Sequence, residues 1–144
     1  MDGQNRVQMG AREVTDFLRE VFPLAMDQME IEAVEPMFAR VRLKVNDTHI
    51  RPGGTVSGPA MFLIADCAFY VATLAMIGRQ ALTVTTNLSI NFMRKPAQGD
   101  VIAEARILKL GRTLSVGDAT LYSVGDDRPV AHASVTYSIP PRGA

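Results

Sequence analysis

The chain has 144 residues, 15 basic and 15 acidic, with 47% apolar side chains, one cysteine and no tryptophan. That length is about one domain's worth and can bury one substantial core, and so apolar a chain without net charge is not a disordered one. Zero formal charge removes the electrostatic ground for nucleic acid as the main partner. Cys67 alone, with two histidines far apart, supplies neither a disulfide framework nor a metal site.

The first residues, 1–10, read as a loose tail without the apolar core or cleavage pattern of a signal peptide, which points to a cytoplasmic protein. Ala11 to Phe22 carries Val14, Phe17, Leu18 and Val21 at helical spacing and ends at Pro23. Met29 to Val34 and Phe38 to Val45 alternate as two strands of a hairpin, with Pro36 in the turn. Asn46 to Val56 is a loop rich in turn formers, and His49 is expected on its surface.

Gly58 to Ile77, GPAMFLIADCAFYVATLAMI, is apolar around its whole circumference and long enough to cross a membrane. Asp66 at its centre would cost roughly 2.5–3.5 kcal/mol in a bilayer, and no basic cluster flanks it. The alternative is a helix buried inside a globular protein, closed by Gly78. Strand patterns then follow at Leu82 to Phe92, Val101 to Leu110, Thr113 to Val124 and Val130 to Ile139, with turns at 96–99, Gly111 and 125–129. In the first of these, Leu82, Val84, Leu88, Ile90 and Phe92 share one face, opposite Thr83, Thr85, Asn87, Ser89 and Asn91. His132 falls on the polar side of the last strand, where it faces solvent or an interface. Short turns favour antiparallel pairing. A helix apolar on every side needs a sheet curved around it, a second subunit, or both. The expectation is a single α+β domain over 1–144, an antiparallel sheet wrapped around one long central helix.

Asp66 is the most informative residue. Its helical neighbours Phe62, Leu63, Phe69 and Tyr70 include no cation. A carboxylate in such surroundings is either hydrogen-bonded from another element, as a packing device, or placed against a reaction centre as base or nucleophile. The helix start supports the second use. Gly54, Ser57, Gly58 and Pro59 surround a first turn whose N–H groups are free and whose dipole end is positive, a place for a carbonyl oxygen gaining charge. Ser57 as N-cap and Pro59 in the first turn are also an ordinary helix start, and the two uses are compatible. Cys67, about 100° further round the helix, reads as a small core residue.

The run from Arg51 to Asp66, RPGGTVSGPAMFLIAD, resembles the signature of hotdog-fold acyl-CoA thioesterases of the phenylacetate-degradation (PaaI-like) type. That signature is His-Gly-Gly at the helix start with an aspartate nine residues after the histidine. Here Ser57, Gly58 and Pro59 occupy the His-Gly-Gly places and Asp66 keeps the spacing. INFMRKPAQGD (Ile90 to Asp100) and the Gly111-Arg112 bend resemble the family's later segments. The resemblance implies a homodimer paired into a homotetramer, with sites shared between subunits. It implies hydrolysis of an acyl-CoA ester, medium-chain or aromatic, with no cofactor beyond the coenzyme A of the substrate and no metal. By position, the Gly58 amide polarises the carbonyl, Asp66 attacks it or activates water, and Thr85 helps place Asp66. Arg51, Gly54, Pro59 and Asn87 fall on the substrate side, with Arg94, Lys95 and Arg112 placed for coenzyme A phosphates. Ser57 lacks the imidazole and Pro59 lacks an N–H. A non-catalytic acyl-CoA binding protein on the same fold therefore stays open as an alternative.

Overall fold

The computed structural model describes residues 6–141. Two short helices, α1 (Ala11–Val21) and α2 (Pro23–Met26), precede a hairpin of β1 (Met29–Glu35) and β2 (Phe38–Leu43). The long helix α3 (Gly58–Ile77) follows, then β3 (Val84–Phe92), β4 (Val101–Leu110), β5 (Leu114–Ser123) and β6 (Pro129–Ser138). The strands form one antiparallel sheet in the order β1-β2-β4-β5-β6-β3. Leaving β2 on one side, the chain runs through α3 and enters β3 at the far edge, then returns to the middle. The sheet thus encloses α3, which packs against all six strands. The segment long and apolar enough to span a membrane is the core helix of the fold.

Ser57 caps α3, its hydroxyl accepting from the Ala60 amide at 3.2 Å, and Gly78 closes it at φ 91°. The helix is not covered all round. Pro59, Phe62, Leu63 and Asp66, spaced as one helical stripe, keep solvent contact. β3 flanks this stripe and is itself exposed along most of its length, with Val84 and Phe92 each about half exposed. The wrapped sheet therefore covers only part of the helix circumference, and the remainder lies beside an edge strand.

Several expectations change at the level of the chain. The first helix ends at Val21 with Phe22 as its cap, ahead of Pro23 as expected, and Pro23 opens a further short helix. Within the described part of the expected loose tail, the Gln8 and Met9 amides bind the Ala75 carbonyl and Met9 is buried; residues 1–5 lie outside the described residues. His49 is not a surface residue but is 4% exposed, inside a short 3-10 turn. The Asn46 amide donates to its Nδ1 at 3.0 Å, so its Nε2–H faces Gln28 Oε1 at 2.8 Å. Its carbonyl accepts from the Ser57 amide. A buried imidazole with both nitrogens satisfied pins the loop that leads into α3. His132 is half-exposed beside Asp118, at 3.0 Å.

β5 meets the helix most closely at Gly117. A Cβ there would overlap the Arg106 carbonyl oxygen and stand 2.8 Å from the Phe69 ring, which is fully buried. Gly117→Ala is expected to destabilise the protein by about 3 kcal/mol, because backbone on one side and a packed ring on the other cannot yield; urea unfolding measures this. Cys67 is buried on α3, and burial, then the Asp66 charge, push its thiol up to about 12. A disulfide reagent at mildly alkaline pH should leave the native thiol unmodified and titrate it fully in strong denaturant.

Candidate active site

Asp66 lies half-buried at the inner end of the exposed helix stripe. Two hydroxyls from two strands converge on one of its oxygens. Thr85 of β3 donates to Oδ1 at 2.6 Å, and Tyr137 of β6 donates to Oδ1 at 2.7 Å while lying 2.9 Å from the Asp66 carbonyl oxygen. Among the described residues nothing donates to Oδ2. The aspartate is thus held by neutral donors, not by an ion pair, and one of its two oxygens is left free.

The placement of Thr85 depends on a β-bulge. β3 pairs with β6 through Thr85↔Tyr137 and then Asn87↔Thr136, so Thr86 is an extra residue. An inserted residue reverses which side chains face the core. After the bulge, Leu88 and Ile90 are turned toward the core, as the alternation predicts. Before it, Leu82 and Val84 point out, 78% and 54% exposed, while Thr83 is buried and Thr85 reaches Asp66. The single apolar face expected across residues 82–92 is therefore two half-faces. That reversal is what puts Thr85 on the helix side.

Tyr137 is the residue at Asp66 that the sequence pattern passed over, because it reads as one more apolar position of the last strand. Its ring stacks on Tyr70 and lies beside Phe69, each with centroids 5.7 Å apart. Burial, reinforced by the Asp66 charge, pushes its phenol well above the ordinary value, so the hydroxyl keeps its proton and serves as a donor. The signal available in sequence was the hydroxyl itself, since a buried tyrosine O–H needs a partner. Tyr70 donates to the Ala81 carbonyl at 2.8 Å. A cleft of about 380 Å³ opens over this group, bordered by Val21, Phe22, Tyr70 and Val84. The buried Thr83 hydroxyl, which has no hydrogen-bond partner among the described residues, lies in the same wall.

A second cleft, of about 430 Å³, lies at the start of α3 and gathers Arg51, Gly58, Phe92, Arg94 and Lys95. The turn before it closes through the Arg51 amide to the Thr55 carbonyl, with Gly53 and Gly54 at φ 104° and 84°. At Gly54 a Cβ would also stand 2.9 Å from the Gln98 amide, so this glycine serves the turn. Among the described residues no acceptor meets the Gly58 N–H, the first free amide of the helix. The Phe92 ring lies 3.3 Å from where a Gly58 Cβ would be.

The expected site residues therefore fall into separate groups. Asp66 and Thr85 meet in the first cleft. Gly58, Arg51, Arg94 and Lys95 meet in the second, with Ser57 engaged as helix cap and Pro59 on the exposed stripe. Asn87 lies beside the middle of β3 and borders neither cleft. Arg112 borders a different cavity with Ile77, at the far end of α3. Eight residues of helix put Gly58 and Asp66 about 12 Å apart, and nineteen put Ile77 about 28 Å from Gly58. Among the described residues, no three His, Cys, Asp or Glu side chains cluster as a metal site.

A family model described as "Thioesterase superfamily" matches residues 53–137, which include Gly58, Asp66, Thr85 and Tyr137. A crystal structure of a protein assigned as a thioesterase from Silicibacter sp. TM1040 is 48% identical, covers 96% of each chain and superposes with a TM-score of 0.89. The Escherichia coli PaaI protein of the phenylacetic acid degradation operon shares the fold at a TM-score of 0.77 with 20% identity, over 90% of this chain and 93% of its own. A protein of Saccharolobus solfataricus named as an esterase is 27% identical over 133 residues, 91% of this chain and 86% of its own. With six antiparallel strands around one central helix and this match across the helix start and its aspartate, the chain belongs to the thioesterase superfamily and carries the hotdog fold in its PaaI-like form.

Proposed function

We propose that this protein hydrolyses an acyl-CoA thioester to the free acid and coenzyme A, as a soluble cytoplasmic homodimer with Asp66 as its acidic catalyst. The observation that carries this reading is the carboxylate itself. It stands in a cleft bordered by aromatic and apolar side chains, with one oxygen tied to two hydroxyls and the other free.

The distance between Gly58 and Asp66 supports an assembly of two chains. A thioester carbonyl spans little more than 1 Å, so an amide about 12 Å from the carboxylate cannot polarise the bond that the carboxylate attacks. Two chains solve this. β3 is an edge strand nine residues long, and it has exposed apolar side chains at both ends. Antiparallel pairing of two copies about Leu88 sets Val84 of one against the partner's Phe92. Each Asp66 cleft then adjoins the partner's helix start, and the exposed stripe of α3 is covered. A further pairing into a tetramer is not needed to complete a site.

In that arrangement the thioester carbonyl oxygen accepts from the N–H of the partner's Gly58, at the positive end of the helix. Asp66 Oδ2 attacks the carbonyl carbon or takes a proton from the attacking water. The C–S bond breaks and coenzyme A leaves as its thiolate. If Asp66 attacked, water then cleaves the acyl-aspartyl anhydride. Arg51, Arg94 and Lys95 border the cleft through which the coenzyme A phosphates would approach. Arg112 lies too far along the helix to share that task within one chain. The helix start favours a second reading as well. Ser57 is occupied as a cap and Pro59 offers no N–H, so the donor set matches a binding protein without turnover too.

Free-thiol release from medium-chain and aromatic acyl-CoA esters tests the activity. Asp66→Asn, still folded, is expected to lose at least about a hundredfold in kcat; binding without turnover in the unaltered protein would establish the binding reading instead. Subunit mixing tests the shared site. Gly58→Pro removes only an N–H at a helix position that tolerates proline, with a small shift of the Phe92 ring. Mixed with Asp66→Asn, it should restore about a quarter of the unaltered activity, since half the dimers are hybrid and each keeps one intact site. Sites contained within single chains would give none.

A further inference from the structure

We propose that Tyr137 is the positioning residue that decides which carboxylate oxygen of Asp66 reacts; this rests on the reading of Asp66 given above. Its hydroxyl sits 2.7 Å from Oδ1 and 2.9 Å from the Asp66 main-chain oxygen, so it holds the side chain and its own backbone in one fixed relation. Thr85 donates to the same Oδ1 at 2.6 Å. With both donors on Oδ1, rotation of the carboxylate is blocked and Oδ2 is the oxygen presented to the cleft.

The two donors differ in rigidity. Thr85 is exposed and sits at a bulge in the edge strand. Tyr137 is 4% exposed and pairs in register with Thr85 of β3 on one side and Ser115 of β5 on the other. Its ring is fixed against Phe69 and Tyr70, both on the same helix as Asp66. The phenol therefore carries the position of β6 and of the packed rings of α3 directly to the carboxylate, whereas Thr85 reaches it from beside a bulge, where the register of β3 on β6 slips by one residue. A hydroxyl donor also favours the ionised carboxylate, the form that attacks or takes a proton. The other titratable groups around Asp66 are Cys67 and Tyr70 on α3, and both are shifted upward by burial. A carboxylate that must be ionised to act gives a rate profile an acid limb, and loss of a hydrogen-bond donor moves such a limb to higher pH.

The test is Tyr137→Phe, which keeps the ring and removes the donor. With an acyl-CoA ester that the unaltered protein turns over, kcat is expected to fall by about ten- to a hundredfold, with KM nearly unchanged and the acid limb moved to higher pH. An unchanged kcat and acid limb would overturn the proposal. So would a loss in kcat and KM together with the acid limb in place, which marks a packing role. Should the variant fail to fold, incorporation of 3-fluorotyrosine at Tyr70, Tyr122 and Tyr137 gives a stronger donor in an intact stack. Only Tyr137 of the three donates to Asp66, so the acid limb should move to lower pH, and no movement would refute the role. Asp66→Asn separates the two ideas: full turnover in that variant sinks the catalytic reading of Asp66, whereas its loss beside an unaffected Tyr137→Phe sinks this proposal alone.

Discussion

One carboxylate in a helix that is otherwise apolar on every face constrains everything else in this molecule. A helix of that composition must be enclosed, and the curved sheet with β3 at its far edge is how the chain encloses it. The aspartate within it cannot be left without hydrogen-bond partners. The fold meets both demands with the same strands: β6 and β3 extend the cover over α3, and they also bring Tyr137 and Thr85 to Oδ1. Both donors are neutral and no cation pairs with Asp66 among the described residues, which suits a group placed to attack or to accept a proton.

The bulge at Thr86 is where packing and chemistry meet. Without it, period-two alternation would put Leu88 and Thr85 on opposite faces, and satisfying the core would aim the threonine at solvent. The inserted residue lets Leu88 and Ile90 pack inward while Thr85 turns to the helix. A bulge also increases local twist, which helps an edge strand follow the curve around α3.

Elements carried by strong periodicity were legible in the sequence. The limits of α3, its Ser57 cap and its Gly78 stop follow from composition and capping chemistry, and the later strands follow from alternation and turns. What was hidden depends on partners distant in sequence. His49 looked like a surface loop residue because Gln28, the partner of its Nε2, lies 21 residues away. Tyr137 looked like core because its hydroxyl's partner lies 71 residues away. The face of Thr85 was misassigned because a bulge has no signature in alternating residues, only a consequence in register. Asp66 itself could be found, since its cost is local and is visible in its four helical neighbours.

Gly58 and Asp66 were joined by resemblance, and the helix that carries both is what separates them. A rigid rod fixes two groups eight residues apart at about 12 Å, and no loop adjustment can shorten that distance. If both act on one carbonyl, a second copy must supply one of them, and β3 is the edge strand that flanks the exposed stripe of α3. The apolar side chains left at both ends of β3 and the distance along α3 are then two expressions of one requirement. In the proposed dimer, association of two chains buries the part of the helix that the sheet cannot reach, and the same step assembles the group proposed to attack with the group proposed to receive the charge.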